Sequence, residues 1–432
     1  MDRYLPRLVD ETLRTHLSTF GATAIVGPKW CGKTTTAKQV AESTISLQDK
    51  KQLDRYRKIS DLDISLLLRG DAPLLIDEWQ MIPEIWDAVR FEVDERGKKG
   101  QFILTGSASI DKSAIRHSGA GRISIVRMRT MTLFESGRST GTVTLEGLFD
   151  GREVSGSSEM SLEDVAKAVV RGGWPGTHGM GDSQARMVVD EYCDNIQEMT
   201  MRSSTDRDSK RMHALLRSLA RNSASQASVG TLIKDMEKND NVSIGQTTAY
   251  KYLKALDDIF VTDDLEAWGP SLRSKAQART SDTRHLTDPA IAAHFLDADP
   301  EDLLYDPNTF GLLFESMAAR DLRAYAEPHG GKVYHYRDSD GLEVDLIVHL
   351  RGGKWGAFEV KLTDNWADAA AANLIKLRDK TDSEKMNPPS VLAVITATGM
   401  AYRRRDGVYV IPLSCLKDRR EIYIAATPFS LR

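Results

Sequence analysis

The chain has 432 residues, room for about three domains of roughly 150 each, with cores that need no disulfide or metal staple. Lys and Arg total 58 against 62 Asp and Glu, a formal net charge of −4, which excludes coating nucleic acid by overall charge but leaves a local basic face open. Only three cysteines (Cys31, Cys193, Cys415) argue against a disulfide framework or a cysteine-rich zinc site, and no signal peptide or bilayer-spanning run is legible, so a cytoplasmic protein without a membrane partner is expected.

In chain order, Ala22–Val26 reads as a buried strand that runs into a glycine-rich turn and a helix from about Lys33. Pro73–Ile76 is a second strand, and Pro83 opens a helix through Ile85, Trp86, Val89 and Val93. Gln101–Leu104 is a third strand, ended by Thr105-Gly106-Ser107. Strands alternating with helices predict a parallel sheet covered on both faces. From Ser136 to Ser161 the chain is rich in Gly, Ser and Thr and reads as a loop or linker. Helical patterns follow from Leu162 to about Leu265, and beyond Leu304 one long helix gives way to alternating strands.

Gly27-Pro28-Lys29-Trp30-Cys31-Gly32-Lys33-Thr34, with Thr35 behind it, matches G-x-x-x-x-G-K-[ST] in full, and a strand precedes it while a helix follows. Gly27 and Gly32 let backbone N–H groups turn in on phosphate oxygens; Lys33 places a charge on the outer phosphates, and the Thr34 hydroxyl is a ligand for Mg²⁺. Ile76-Asp77-Glu78 ends an apolar strand in two acids at the sheet edge where ligands bind in open α/β folds. Asp77 is the candidate for the Mg²⁺ shell and Glu78 for the general base that polarises the attacking water. Thr105 and Ser107 stand where a polar side chain would orient that water or simply end a strand. Arg122, and less strongly Arg116, are candidates for an arginine reaching a neighbouring subunit's site; the alternative, the usual one for an arginine, is a solvated surface residue.

The order of these motifs, followed by Gly172-Gly173-Trp174-Pro175, resembles a prokaryotic AAA+-type P-loop ATPase family whose members carry a C-terminal domain of largely uncharacterised function. The resemblance implies Mg-dependent ATP hydrolysis and a homo-oligomeric, hexamer-like ring with active sites at subunit boundaries. The chain departs from the AAA+ pattern at the water-sensing position, where Thr105 or Ser107 stands in place of the common Asn.

Further along, Ser228–Met236 reads as a short helix with Val229, Leu232, Ile233 and Met236 buried. Ser243 is expected to cap a second helix that buries Leu253 and Leu256 and leaves Gln246, Tyr250, Lys251 and Lys254 to solvent. With Ile259-Phe260-Val261 and Leu265 as strands of a wing, this order resembles winged helix-turn-helix domains, which bind DNA or serve as protein contacts and ATPase lids. Arg202, Arg207, Lys210, Arg211, Arg217 and Arg221 upstream, and Arg273, Lys275, Arg279 and Arg284 downstream, are candidate phosphate contacts or ordinary solvated faces.

The last third places Glu315 on a long helix, then Asp345 on a strand and Glu359-x-Lys361 on the next. Strand alternation puts Glu359 and Lys361 on one face, where two carboxylates suit a divalent cation and a lysine suits a hydrolytic water. The constellation is similar to that of PD-(D/E)xK nucleases; Val344 rather than Pro precedes Asp345. The expected fold class is therefore α/β: an AAA+-like ATPase domain (1–150), a helical, winged-helix-like domain (151–300) and a restriction-endonuclease-like domain (301–432). The expected function is an ATPase that uses ATP and Mg²⁺ to control binding or processing of DNA. The alternatives are an assembly switch whose nuclease-like fold is a docking platform, and a protein remodeller.

Overall fold

The computed structural model describes residues 4–107, 119–201, 208–269, 281–381 and 386–419. They divide into two compact units: residues 4–130 with Asp257–Phe260, and residues 131–256 with 261–419. No helix among the described residues is long and apolar enough to cross a membrane.

In the first unit, α1 (Val9–Thr19), β1 (Ala22–Val26), α2 (Lys33–Ala37), β2 (Ser43–Ser46) and α3 (Lys50–Asp63) precede β3 (Leu74–Asp77), α4 (Glu84–Arg96), β4 (Phe102–Gly106) and β5 (Ile123–Arg127). The strands form one parallel sheet in the order β2-β3-β4-β1-β5. Alternation along the central strands feeds two cores. Leu74, Ile76, Phe102 and Leu104 pack with Trp79, Trp86 and Val89 on one side, while Leu75, Ile25 and Ile103 pack with Leu13, Leu17 and Ala37 on the other. The covered parallel sheet is as the sequence predicts. The polar β2 and the edge strand β5 lack the continuous apolar run that betrays a central strand, and escape a reading by hydrophobicity.

The second unit opens with β6 (Val143–Thr144), α5 (Leu145–Phe149) and β7 (Gly156–Ser157). The helices α6 (Leu162–Arg171), α7 (Asp182–Met201), α8 (Ser209–Arg221), α9 (Val229–Asp240), α10 (Gln246–Asp258), α11 (Pro289–Phe295), α12 (Pro300–Tyr305) and α13 (Pro307–Ala326) follow. Then come β8 (Lys332–Arg337), β9 (Glu343–His349), β10 (Trp355–Lys361), α14 (Ala367–Lys380), β11 (Val391–Thr396), β12 (Met400–Arg403), β13 (Tyr409–Pro412) and β14 (Leu416–Lys417). The main sheet runs β7-β12-β13-β11-β10-β9-β8, with β8, β9 and β10 antiparallel and β10, β11 and β13 parallel. Trp355, Ala357, Val394 and Val410 of this sheet pack under Ala370, Ala371, Leu374 and Leu377 of α14.

Three expectations need correction. The segment from Ser136 to Ser161 is no linker: Met400 of β12 pairs with Ser157 of β7, and Leu416 of β14 pairs with Val143 of β6. Polar composition reads as loop because edge strands need few apolar side chains. Ser243 does not cap α10, which begins at Gln246; its hydroxyl donates to Glu237 at 2.7 Å instead. Ile259 and Phe260 form a turn, with Phe260 at φ 59°, and the antiparallel bridges after α10 are Thr262 to Leu286 and Leu265 to Thr283.

Gly172-Gly173-Trp174-Pro175 turns out to be a packing device. The Gly173 N–H donates to Asp288 at 2.9 Å, and Arg320 bonds both Asp288 and Asp321 at 2.9 Å in a buried ion cluster. The Met131 N–H donates to the Gly173 carbonyl at 2.6 Å, and a Cβ on Gly173 would stand 2.1 Å from the Met131 carbonyl oxygen. Gly173→Ala is expected to cost about 3 kcal/mol or more, because backbone rather than a flexible side chain blocks the space; denaturant unfolding checks it.

Two buried histidines lie within the same unit. His285 Nδ1 lies 3.0 Å from the Ser316 hydroxyl, and burial, helped by nearby Arg323, pulls its pKa down to about 3. Burial lowers His335 to about 4. Unfolding frees both to protonate at the ordinary value near 6.5, so the unfolded chain binds more protons on acidification. Stability is therefore expected to be full above about pH 6.5 and to fall below it, by at most about 1.4 kcal/mol per pH unit per histidine. Thermal melts of the parent and of His285→Gln between pH 7.5 and 5 measure this, with a shallower acid slope expected for the variant.

Candidate active sites

The phosphate-binding loop leaves β1 at its C-terminal end, where β3 and β4 also end. Gly27 (φ 153°) lies so close to the next segment that a Cβ would meet the Met128 carbonyl oxygen at 2.1 Å. Gly32, left-handed at φ 102°, is the N-cap of α2 and turns the chain into it. Pro28 and Cys31 are buried, whereas Lys29, Trp30 and Thr35 are exposed, with the Lys29 ammonium 6.0 Å from the Trp30 ring centre. The buried Lys33 ammonium donates to the carbonyls of Gly27 at 2.9 Å and Pro28 at 2.8 Å, which holds it inside the loop.

Asp77 gathers donors from three elements. Its Oδ1 accepts from the Thr34 hydroxyl at 2.6 Å and the Thr105 hydroxyl at 2.7 Å; its Oδ2 accepts from Gln48 Nε2 at 2.7 Å. Thr34 and Asp77 offer hard oxygen ligands in direct contact, a donor set that fits Mg²⁺. Glu78 follows in the left-handed region, and its Oε2 accepts from the Ser107 hydroxyl at 3.0 Å and from Gln80 Nε2. The two candidate water-orienting residues thus part company: Thr105 is fully buried against Asp77, and Ser107 faces Glu78. Gln48 and Gln80 were not legible as site residues, since neither belongs to a spaced motif. Gln80, two positions beyond Glu78, was the more findable. Arg122 is half-exposed and pairs with Asp94 at 2.8 Å on its own chain; Arg116 lies outside the described residues.

In the second unit the β9/β10 ladder ends at Leu346 opposite Phe358, and the strands part beyond it. Asp345 fills the gap: its Oδ2 accepts the Val360 N–H at 2.7 Å and the Lys361 ammonium at 3.2 Å. Lys361 also donates to Glu359 Oε2 at 2.8 Å, while Asn373 of α14 donates to Glu359 Oε1 at 2.7 Å. Three of the four carboxylate oxygens of this pair therefore already hold protein donors, and Lys361 is the cation that both acids share. Burial and then the neighbouring Asp345 raise the Glu359 pKa to about 7, against the pull of Lys361. Glu315 of α13 is pushed well above the usual carboxylate range by burial and then by Asp345. Burial pulls Lys361 down, but the two acids outweigh it and hold the ammonium charged. Among the described residues, no group of three or more His, Cys, Asp or Glu is arranged to hold a metal ion.

The exposed face of α10 carries Gln246, Tyr250, Lys251 and Lys254, as expected. Other basic candidates are engaged within the unit. Arg221 is shared by Asp235 and Asp240, Arg217 pairs with Asp240 at 3.2 Å, and Arg284 binds Asp264. Lys210 and Arg211 are exposed, whereas Arg202, Arg207, Arg273, Lys275 and Arg279 lie outside the described residues.

Residues 19–136 match the family model of an AAA domain. Residues 162–302 and 310–416 match two models described as domains of unknown function, DUF8612 and DUF4143. The chain is 28% identical over 356 residues to the uncharacterized proteins Rv2008c of Mycobacterium tuberculosis and Mb2031c of Mycobacterium bovis, covering 81% of this chain and 72% of each relative. A solved structure, the Walker-type ATPase PABY2304 of Pyrococcus abyssi, overlaps 66% of this chain and 94% of its own at 12% identity and a TM-score of 0.41, a likeness too loose to carry an inference. With the loop geometry and the match over residues 19–136, the first unit is an ATP-binding P-loop ATPase domain of the AAA type.

Proposed function

We propose that the protein hydrolyses ATP with Mg²⁺ and uses the cycle to control binding or processing of DNA by its second unit. The observation that carries the ATPase chemistry is the 2.6 Å contact between Thr34 and Asp77, with Glu78 next along the turn. Lys33 and the loop N–H groups bind the phosphates, Thr34 and Asp77 hold Mg²⁺, and Glu78 takes the proton of the attacking water. Bound Mg²⁺ supplies charge neutralisation on the phosphate oxygens. In a homo-oligomeric ring, Arg122 of one subunit would reach the next subunit's phosphates once freed from Asp94. Glu78→Gln is expected to keep ATP binding and lower turnover by about 10²–10⁴-fold; undiminished phosphate release rejects Glu78 as the base.

On the same reading Asp345 and Glu359, backed by Glu315, hold a divalent cation, Lys361 faces the hydrolytic water, and the exposed face of α10 contacts DNA. What supports this is the meeting of Asp345, Glu359 and Lys361 where β9 and β10 part. A second reading, an ATP-driven assembly switch with a silent nuclease-like fold as docking platform, is favoured by the hold of Lys361 on both acids. Incubation of the full chain with DNA and Mg²⁺ or Mn²⁺ separates the two. Processing predicts cleavage that Asp345→Ala and Glu359→Ala lower by at least about 10²-fold. The switch predicts no cleavage with any nucleotide, and a loss of about 1–3 kcal/mol of stability in Asp345→Ala, as the Val360 N–H loses its acceptor.

A further inference from the structure

Glu78 rests at φ 59° and ψ 48°, a region a residue with a Cβ rarely adopts. That turn ends β3 and leads into one 3₁₀ turn, Trp79–Met81, which carries the Gln80 side chain back to Glu78. Gln80 Nε2 donates to Glu78 Oε2, and the Ser107 hydroxyl, just past β4, donates to the same oxygen at 3.0 Å. The reverse amide orientation would set the lone pairs of Gln80 Oε1 against a carboxylate, so chemistry decides which end of the amide faces the acid. Gln80 Oε1 is itself buried and has no hydrogen-bond partner among the described residues. It lies against the last residue of β4: a Cβ on Gly106 would be 2.8 Å from it. Gly106 thus makes the room in which the amide is aimed, and that aim leaves an acceptor unpaired while a donor is fixed on Glu78.

We propose that Gln80 is a positioning residue for ATP hydrolysis: with Ser107, it pins one oxygen of the Glu78 carboxylate so that the other, Oε1, accepts the proton of the nucleophilic water. The inference rests on Glu78 being the base. Gln80 touches neither phosphate nor metal in this scheme; it acts through Glu78 alone. Its loss therefore changes the rate of the chemical step and not the affinity for nucleotide.

The test is steady-state turnover and fluorescent ATP-analogue binding by the full chain, for Gln80→Ala and for Gln80→Met, which keeps the volume and removes the donor. Turnover is expected to fall by about 10–100-fold, the effect of a misplaced catalytic group, while KM and nucleotide affinity stay within about two-fold. Gly106→Ala, which displaces the amide, should give the same split, and Ser107→Thr should recover turnover lost in Ser107→Ala. In a Glu78→Gln background, Gln80→Ala should change the residual turnover by less than about two-fold, because the two residues act as one unit. Parental turnover in Gln80→Met, or an equal loss with and without Glu78, overturns the proposal. Full turnover in Glu78→Gln alone overturns the assignment of the base beneath it.

Discussion

A carboxylate buried at the edge of a parallel sheet must be surrounded by donors, since an unpaired charge there costs several kcal/mol. Asp77 meets that demand by drawing Thr34 from the phosphate-binding helix, Thr105 from β4 and Gln48 from beyond β2. Each bond fixes a different element at the same edge. The loop that receives phosphate, the strand that ends beside it and the segment leading to α3 are thus tied to one point. Glu78, one residue on, inherits that fixed frame and needs only a local turn to present its own carboxylate.

Much of this is legible in the sequence. Gly27, Gly32, Lys33, Thr34, Asp77 and Glu78 belong to motifs whose spacing is imposed by the phosphate itself, so chemistry writes them into the chain at fixed intervals. Gln48 and Gln80 are invisible by the same logic: each answers a nearby carboxylate in space, and many positions and residue types would serve. The central strands β1, β3 and β4 declare themselves by being buried on both faces. β2, β6 and β7 do not, because their pairing is carried by backbone groups. The arginines mislead in the other direction: Arg221 and Arg284 look like phosphate contacts in sequence, yet each neutralises acids within its own unit.

The acid–lysine cluster of the second unit answers a break in a strand ladder. Where β9 and β10 separate, a backbone N–H loses its ladder partner, and Asp345 replaces that partner with a carboxylate. Lys361 then balances the charge that Asp345 and Glu359 bring. With that lysine shared, the two acids are held side by side at the point where the strands part.

The pairing of β7 with β12 and of β6 with β14 bears on how this chain reaches its structure. The outer strand β7 of the main sheet comes from residues 156–157, and its neighbour β12 from residues 400–403. Closing such contacts joins positions about 240 residues apart for β7 and about 270 for β6, loops whose entropy must be overcome before any pairing rewards them. On a ribosome the N-terminal ATPase sheet is complete once β5 has emerged, while the second sheet waits for nearly the last strand. The two halves of the protein are therefore made on different clocks, and β6 and β7 emerge long before the strands that pair with them.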